Sequence, residues 1–245
     1  MIDHNFYASP VQASQTLITH ILEAMDKELE RPFTIALSGG TTPATLFEVW
    51  EREYATYTPW SRIYFYWVDE RCVPPGDDQS NFGLAYRLLF SKVGIPASHY
   101  YRIVGEGAPE EEAKQYSSIV KTTVPTVDGV PVFDFVLLGI GEDGHTSSIF
   151  PDHQELLTAG EPYEVSVNPY NKTVRICMTG RPLICLLYTS DAPLIEARHT
   201  CCLVTGENKC SILKEILDKN KEGVYPASYI WHHARNPQLY ASLVS

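Results

Sequence analysis

The sequence has little that would carry it to a membrane or a nucleic acid. No apolar run reaches ~18 residues, so no spanning helix is expected. The amino-terminal MIDHNFYASPVQ has no basic stretch followed by an apolar core. No secretory signal of the ordinary kind is therefore expected there, and the cytosol is the expected location. Cations are scarce, with 19 Lys and Arg against 30 Asp and Glu and a formal net charge of -11. A broad nucleic-acid or anionic-membrane surface needs a basic face, so neither is expected as a partner. A small anionic substrate is not excluded, but it would need a local nest of cations and backbone N–H groups. None of the six cysteines (Cys72, Cys177, Cys185, Cys201, Cys202, Cys210) forms a C-x-x-C pair, which disfavours a zinc ribbon or thioredoxin-type site. They are expected to be reduced and mostly core filler. His232 and His233 lack metal-ligand spacing with a nearby Cys or acid, and no serine elbow is found.

What is present is a chain of 245 residues, 44% hydrophobic, enough for one large domain with a sizeable core. No repeat or low-complexity segment divides it, and residues 1–245 are expected to form a single domain. Residues 11–30 space Leu17, Ile18, Ile21, Leu22 and Met25 at helical intervals. Strands are expected at 33–38, 62–70, 100–103, 133–140 and 200–205, with helices at 43–54, 82–91, 109–122 and 206–217. Residues 163–169 and 173–179 read as a hairpin around Asn171. Alternating strands and helices predict an α/β fold: a single, doubly wound, mainly parallel sheet with helices on both faces. Ligands on such sheets bind outside the carboxyl ends of the strands.

Three loops follow strands in that way. In 38-SGGTTP-43, glycines allow close backbone approach, and the following helix start offers N–H groups to an anion. The plainer alternative is a strand–helix turn with a Thr cap. This loop is neither of the common nucleotide fingerprints, so no nucleotide is implied. In 68-VDERCVPPGDDQSN-81, Arg71 could clamp a phosphate or carboxylate, or simply pair with Asp69 or Glu70. In 136-VLLGIGEDGHTSSIFP-151, Gly139, Gly141 and Gly144 permit a sharp turn, and Asp143 stands two residues before His145. A histidine fixed by a carboxylate can take a proton from water and later return it. The alternative is a lone His at a helix start over Thr146–Ser148. Arg175 and Lys209 could point at one anion, or be ordinary solvated charges.

Together, 33-FTIALSGGTTP-43, 67-WVDERCVP-74, 79-QSN-81, 134-DFVLLGIGEDGHTSSIFP-151, 203-LVTGENK-209 and 226-PAS-228 resemble the 6-phosphogluconolactonase family, within the wider glucosamine-6-phosphate isomerase/deaminase superfamily. The resemblance implies hydrolysis of 6-phospho-D-glucono-1,5-lactone in the oxidative pentose phosphate pathway, with no metal or organic cofactor. It implies a catalytic set of His145, Asp143 and Arg71. It also implies a substrate-binding set of Gly39, Gly40, Thr41, Thr42, Asp69, Asn81, Arg175 and Lys209. A monomer or weak homo-oligomer is expected. The deaminase branch resembles this scaffold but has a glutamate where this chain has Phe150, and Met-Asp-Glu-Tyr where it has 68-VDER-71. A catalytically dead sugar-phosphate sensor is the non-enzyme alternative. The chain departs from the family at 181-RPLICLLYTSDA-192, before 193-PLIEAR-198. There an insertion of about a dozen residues is expected, as an edge strand, a partner patch or an error in the sequence.

Overall fold

The computed structural model describes residues 4–29, 31–184, 199–234 and 237–244. In chain order the elements are β1 (His4–Phe6), α1 (Pro10–Lys27), β2 (Phe33–Leu37), α2 (Thr41–Tyr54), β3 (Ile63–Trp67), β4 (Asp69–Arg71), α3 (Asn81–Ala85), α4 (Ser91–Val93) and α5 (Pro109–Thr123). They continue with β5 (Thr126–Val127), β6 (Val130–Pro131), β7 (Phe135–Leu138), β8 (Tyr163–Val167), β9 (Val174–Met178), α6 (Gly180–Ile184), β10 (His199–Thr205), α7 (Cys210–Leu217), α8 (Pro226–His233) and β11 (Pro237–Ser242).

Six strands form a parallel sheet in the order β1-β11-β10-β7-β2-β3. Every residue of β2 and β7 is buried, so both faces of the sheet are covered, as the fold class requires. From β2 the chain winds outward to β3. It then returns to β7 on the other side of β2 and winds away through β10. The order therefore reverses between β2 and β7, and a crevice opens there at the carboxyl ends of the strands. The loops leaving those two strands are the glycine-threonine loop and the histidine loop.

Local sequence accounts for the main elements. Ser9 caps α1 by accepting from the Gln12 N–H at 3.1 Å, Pro10 occupies its first turn, and Leu17, Ile18, Ile21 and Met25 are buried. The expected strand over 62–70 is two strands. Val68 donates to Leu37 in the parallel sheet and accepts from Met178, and so hands the chain to a small antiparallel sheet, β4-β9-β8. This second sheet, built on the expected hairpin, is what a single-sheet reading left out. The expected strand at 100–103 is reduced to one bridge between Tyr100 and Phe65. The helix expected over 82–91 runs as α3, a π turn at Tyr86–Phe90 and α4. Of the expected insertion, Arg181–Ile184 belong to α6, and its remainder, with 193–198, lies outside the described residues. Cys72, Cys177, Cys201, Cys202 and Cys210 are free thiols. No helix among the described residues is long and apolar enough to cross a membrane.

A buried carboxylate locks the amino ends of the neighbouring strands β2 and β7. Asp134 accepts from the N–H (2.8 Å) and hydroxyl (2.9 Å) of Thr34 and from both terminal nitrogens of Arg31. Removing one partner of a buried pair leaves an uncompensated charge. Arg31→Ala is expected to destabilise the fold by roughly 3 kcal/mol in urea denaturation.

Nearby, the rings of His20 and His199 meet edge-on at 4.4 Å, and His20 Nδ1 contacts the Tyr240 hydroxyl at 2.5 Å. Burial, with His20 and Lys27 adding to it and Asp134 opposing, lowers His199 from 6.5 to about 4. The unfolded chain therefore binds more protons than the native one between those values, and stability falls as pH drops through that window. The thermal midpoint is expected to decline from pH 7 to 4, with a shallower decline in His199→Phe.

Candidate active site

Three of the loops from the parallel sheet and two strands of the small sheet enclose a cleft of about 230 Å³. Its lining includes Ser38 to Pro43, Asp69, Arg71, Gly139 to Gly141, His145, Ser147, Ser148, Arg175, Thr205 and Lys209. One side is a cradle for an anion. Gly40 precedes α2 at φ +102°, a left-handed conformation suited to glycine, and no side chain caps the helix. The first N–H groups of α2 have no intrahelical acceptor, its first turn holds no acid, and its dipole favours negative charge there. Thr42 and Thr205 hydroxyls bond at 2.7 Å, fixing the helix start to the end of β10. Lys209 enters from the loop after β10.

The small sheet brings two guanidinium groups to the same cradle. Arg71 and Arg175 are cross-strand neighbours on β4 and β9. Arg175 is only 9% exposed. Its Nη1 donates to the Ser148 hydroxyl at 3.2 Å and lies 3.9 Å from Asp69 Oδ2. Burial pulls its pKa below the ordinary value, Asp69 opposes this and Arg71 adds to it. Arg71 pairs with neither Asp69 nor Glu70 through its guanidinium, which donates instead to the Gln79 carbonyl at 2.5 Å. The Glu70 carboxylate is turned inward, accepting from the Arg71, Asn81 and Phe82 N–H groups, each at 2.8 Å. Two cations held side by side at a cleft are poorly explained as solvated surface charge.

The other side is built on His145. Its Nδ1 lies 2.5 Å from Asp143 Oδ1, and its backbone N–H contacts the same oxygen at 3.2 Å. Burial would raise Asp143, but the bonds and charge of His145 outweigh it and hold the carboxyl at about 2. The imidazole is 28% exposed and rests on the buried ring of Phe150 at 4.6 Å. No helix begins at Thr146, so the reading of His145 as a helix-start residue fails. Gly139, Gly141 and Gly144 do have G-x-G-x-x-G spacing after a strand, yet without a following helix they make no dinucleotide site.

Instead Thr146–Ile149 form a tight turn, closed by the Ile149 N–H on the Thr146 carbonyl at 2.8 Å. Its central residues, Ser147 and Ser148, sit at φ +53° and +55°. This is the geometry of a type I′ turn, which Gly, Asn or Asp normally occupies. For serines it costs roughly 1–2 kcal/mol each. The hydroxyls offset it: Ser147 donates to the Met178 carbonyl at 2.8 Å, and Ser148 to Asp69 Oδ2 at 2.5 Å. Sequence reasoning missed both serines, because nothing in their type signals left-handed backbone.

Of the expected residues, His145, Arg71, Gly39, Gly40, Thr41, Thr42, Asp69, Arg175 and Lys209 line the cleft. Asp143 stands behind His145. Asn81 is not in the lining. It is 2% exposed, its Nδ2 donates to the Asp69 carbonyl at 2.7 Å, and it packs where a side chain on Gly39 would lie. It thereby supports the Gly39 turn and Asp69.

The parallel sheet, its switch-point cleft and the paired cation and imidazole sides define an α/β protein built to hold a small anion beside a proton-transfer group. A family model for glucosamine-6-phosphate isomerases/6-phosphogluconolactonase matches residues 8–240, and the chain belongs to that family. It is 38% identical over 206 residues to a 6-phosphogluconolactonase of Haemophilus influenzae, covering 83% of this chain and 82% of that one. It is 42% identical over 183 residues to a 6-phosphogluconolactonase of Treponema pallidum, covering 74% and 71%. The crystal structure of devB protein matches with a TM-score of 0.86 at 33% identity, covering 100% of this chain and 97% of that one.

Gly141 has no room for a side chain: a Cβ there would fall 2.2 Å from His145 Nδ1 and 2.5 Å from Asp143 Oδ1. Gly141→Ala is expected to displace the imidazole and lower turnover by about 10²-fold. Circular dichroism should show the fold retained.

Proposed function

We propose that this protein hydrolyses 6-phospho-D-glucono-1,5-lactone to 6-phosphogluconate, the lactone-opening step of the pentose phosphate pathway, and that it acts in the cytosol as a monomer. One observation carries the reading: an imidazole held by a carboxylate faces a cleft whose opposite side is a helix start and two cations. The 6-phosphate sits against Gly39, Gly40, Thr41 and Thr42, with charge from Arg175 and Lys209. Asp69 keeps Arg175 in place.

The Asp143 contact puts the proton of neutral His145 on Nδ1 and leaves Nε2 as the acceptor. A water gives its proton to Nε2 as its oxygen bonds to the lactone carbonyl carbon. The carbonyl oxygen takes up the negative charge. Arg71 and the backbone N–H groups of Ser147 and Ser148, which bond to no acceptor among the described residues, are the stabilising donors. The carbon–ring-oxygen bond then breaks, and the imidazolium proton moves to the departing ring oxygen. Asp143 stays ionised throughout and stabilises the imidazolium.

Phe150 favours lactone opening over the deaminase alternative. It is fully buried beneath His145 and supplies no carboxylate for a second proton transfer. His145→Ala is expected to lower kcat by about 10²–10⁴-fold with KM little changed, in a lactone assay corrected for spontaneous opening. Full activity in that variant, or ammonia release from glucosamine 6-phosphate by the wild type, would overturn the reading.

A further inference from the structure

The loops that supply the base and one of the cations are tied to each other across the rim of the cleft. The ladder between β7 and β10 ends at Leu138 and Cys202, and β10 runs on to Thr205 against β11 alone. Past that point a single hydrogen bond joins the two chains among the described residues. Asn208 Nδ2 donates to Glu142 Oε1, from 66 positions away in the sequence. Both side chains are exposed, and neither belongs to the lining of the cleft.

Each end of this bond sits in a short closed turn that also carries a residue of the site. Glu142 lies inside the turn Gly141–His145, which the Gly141 N–H closes on the His145 carbonyl at 2.8 Å. Asn208 lies inside the turn Gly206–Lys209, which the Lys209 N–H closes on the Gly206 carbonyl at 3.1 Å. That second turn hangs from the sheet through the Gly206 N–H on the Ser242 carbonyl at 2.9 Å. Gly206 makes room for the amide, since a Cβ there would fall 2.6 Å from Asn208 Oδ1. The amide oxygen therefore lies back over Gly206, and the nitrogen, the side chain's donor, faces the carboxylate.

We propose that Glu142 and Asn208 are positioning residues, whose hydrogen bond fixes the Lys209 turn relative to His145, so that the cation meets the phosphate of a substrate whose carbonyl lies at the imidazole. This inference deepens the lactonase reading and takes its ligand from it. The strap also gives Glu142 a reason to be there. A carboxylate at the mouth of an anion site repels the ligand, so by charge alone its removal tightens binding. The strap requires the opposite sign.

In calorimetric titrations with 6-phosphogluconate, Glu142→Ala and Asn208→Ala are each expected to weaken binding about threefold to fivefold, the effect of one net hydrogen bond. The double variant should bind no more weakly than either single one, because both changes remove the same bond. Glu142→Gln keeps an acceptor oxygen and loses the charge, and it should bind about as tightly as the wild type. In the lactone assay KM should rise by the same factor with kcat little changed, because Asp143 and the Gly141 N–H still hold His145. Wild-type or tighter affinity in either alanine variant overturns the proposal. So do losses that add in the double variant, a glutamine variant as weak as the alanine one, or a fall in kcat at unchanged KM. If the wild type binds 6-phosphogluconate but opens no lactone, the lactonase reading falls and the affinities of the variants still decide the strap. If it binds none, both fall. Changes at exposed turn positions leave folding intact, which melting curves check directly.

Discussion

The Asp69 carboxylate is the junction on which the site depends. It lies where the chain leaves the parallel sheet, and it is 8% exposed. Its Oδ2 accepts from Ser148 at 2.5 Å and faces Arg175, while its backbone carbonyl and Oδ1 take Asn81. One residue thus ties the turn after β7, the cationic strand β9 and the start of α3 to the end of β3. A buried charge is tolerated only when it is paired and bonded, so each partner is held as firmly as it holds Asp69. Without that junction, the Ser147–Ser148 turn loses one of the bonds offsetting its strain, and Arg175 loses its neighbouring anion.

The strained turn and the glycines around it solve one geometric problem. A base must sit on a short rigid lead from a buried strand, close enough to the floor of the crevice to meet a substrate anchored on the neighbouring loop. Four residues of β7 are buried, and only six residues separate its end from His145. Within that span the chain reverses at Gly144, whose φ is +79° and whose carbonyl accepts from Ala227 at 3.0 Å, and just past His145 it turns again through Ser147 and Ser148. Backbone strain of this kind persists only where surrounding bonds over-determine it, and such places concentrate at functional sites.

Much of this was legible in the sequence because it is local. Helical periodicity places α1, and the glycine-rich loops after apolar runs mark the switch-point crevice. Asp143 and His145 lie two positions apart in a sharp turn. What was hidden depends on partners distant in the chain. β1 and β11 are short strands from the two ends that pair with each other. The break at Val68 lies inside an unbroken extended run, and only the arrival of Met178 reveals it. Asn81 reads as a polar loop residue, and its burial under Gly39 follows from α3 folding back on β4. Arg71 had an adjacent acid on each reading of the sequence, yet the local backbone turned Glu70 toward the α3 start instead. Asp134 reads only as an acid near the start of an expected strand until Arg31, 103 positions away, is brought against it.

The charge pattern reconciles a chain of net charge -11 with a phosphorylated substrate. What an anion feels is the local field, and the cleft lining holds Arg71, Arg175 and Lys209 against Asp69 alone among acids. Asp69 is already engaged by Ser148 and Arg175, which leaves the cradle positive in a low-dielectric crevice that focuses its field. The acid at the other end, Asp143, lies behind the imidazole rather than in the lining, so it orients the base without repelling the phosphate.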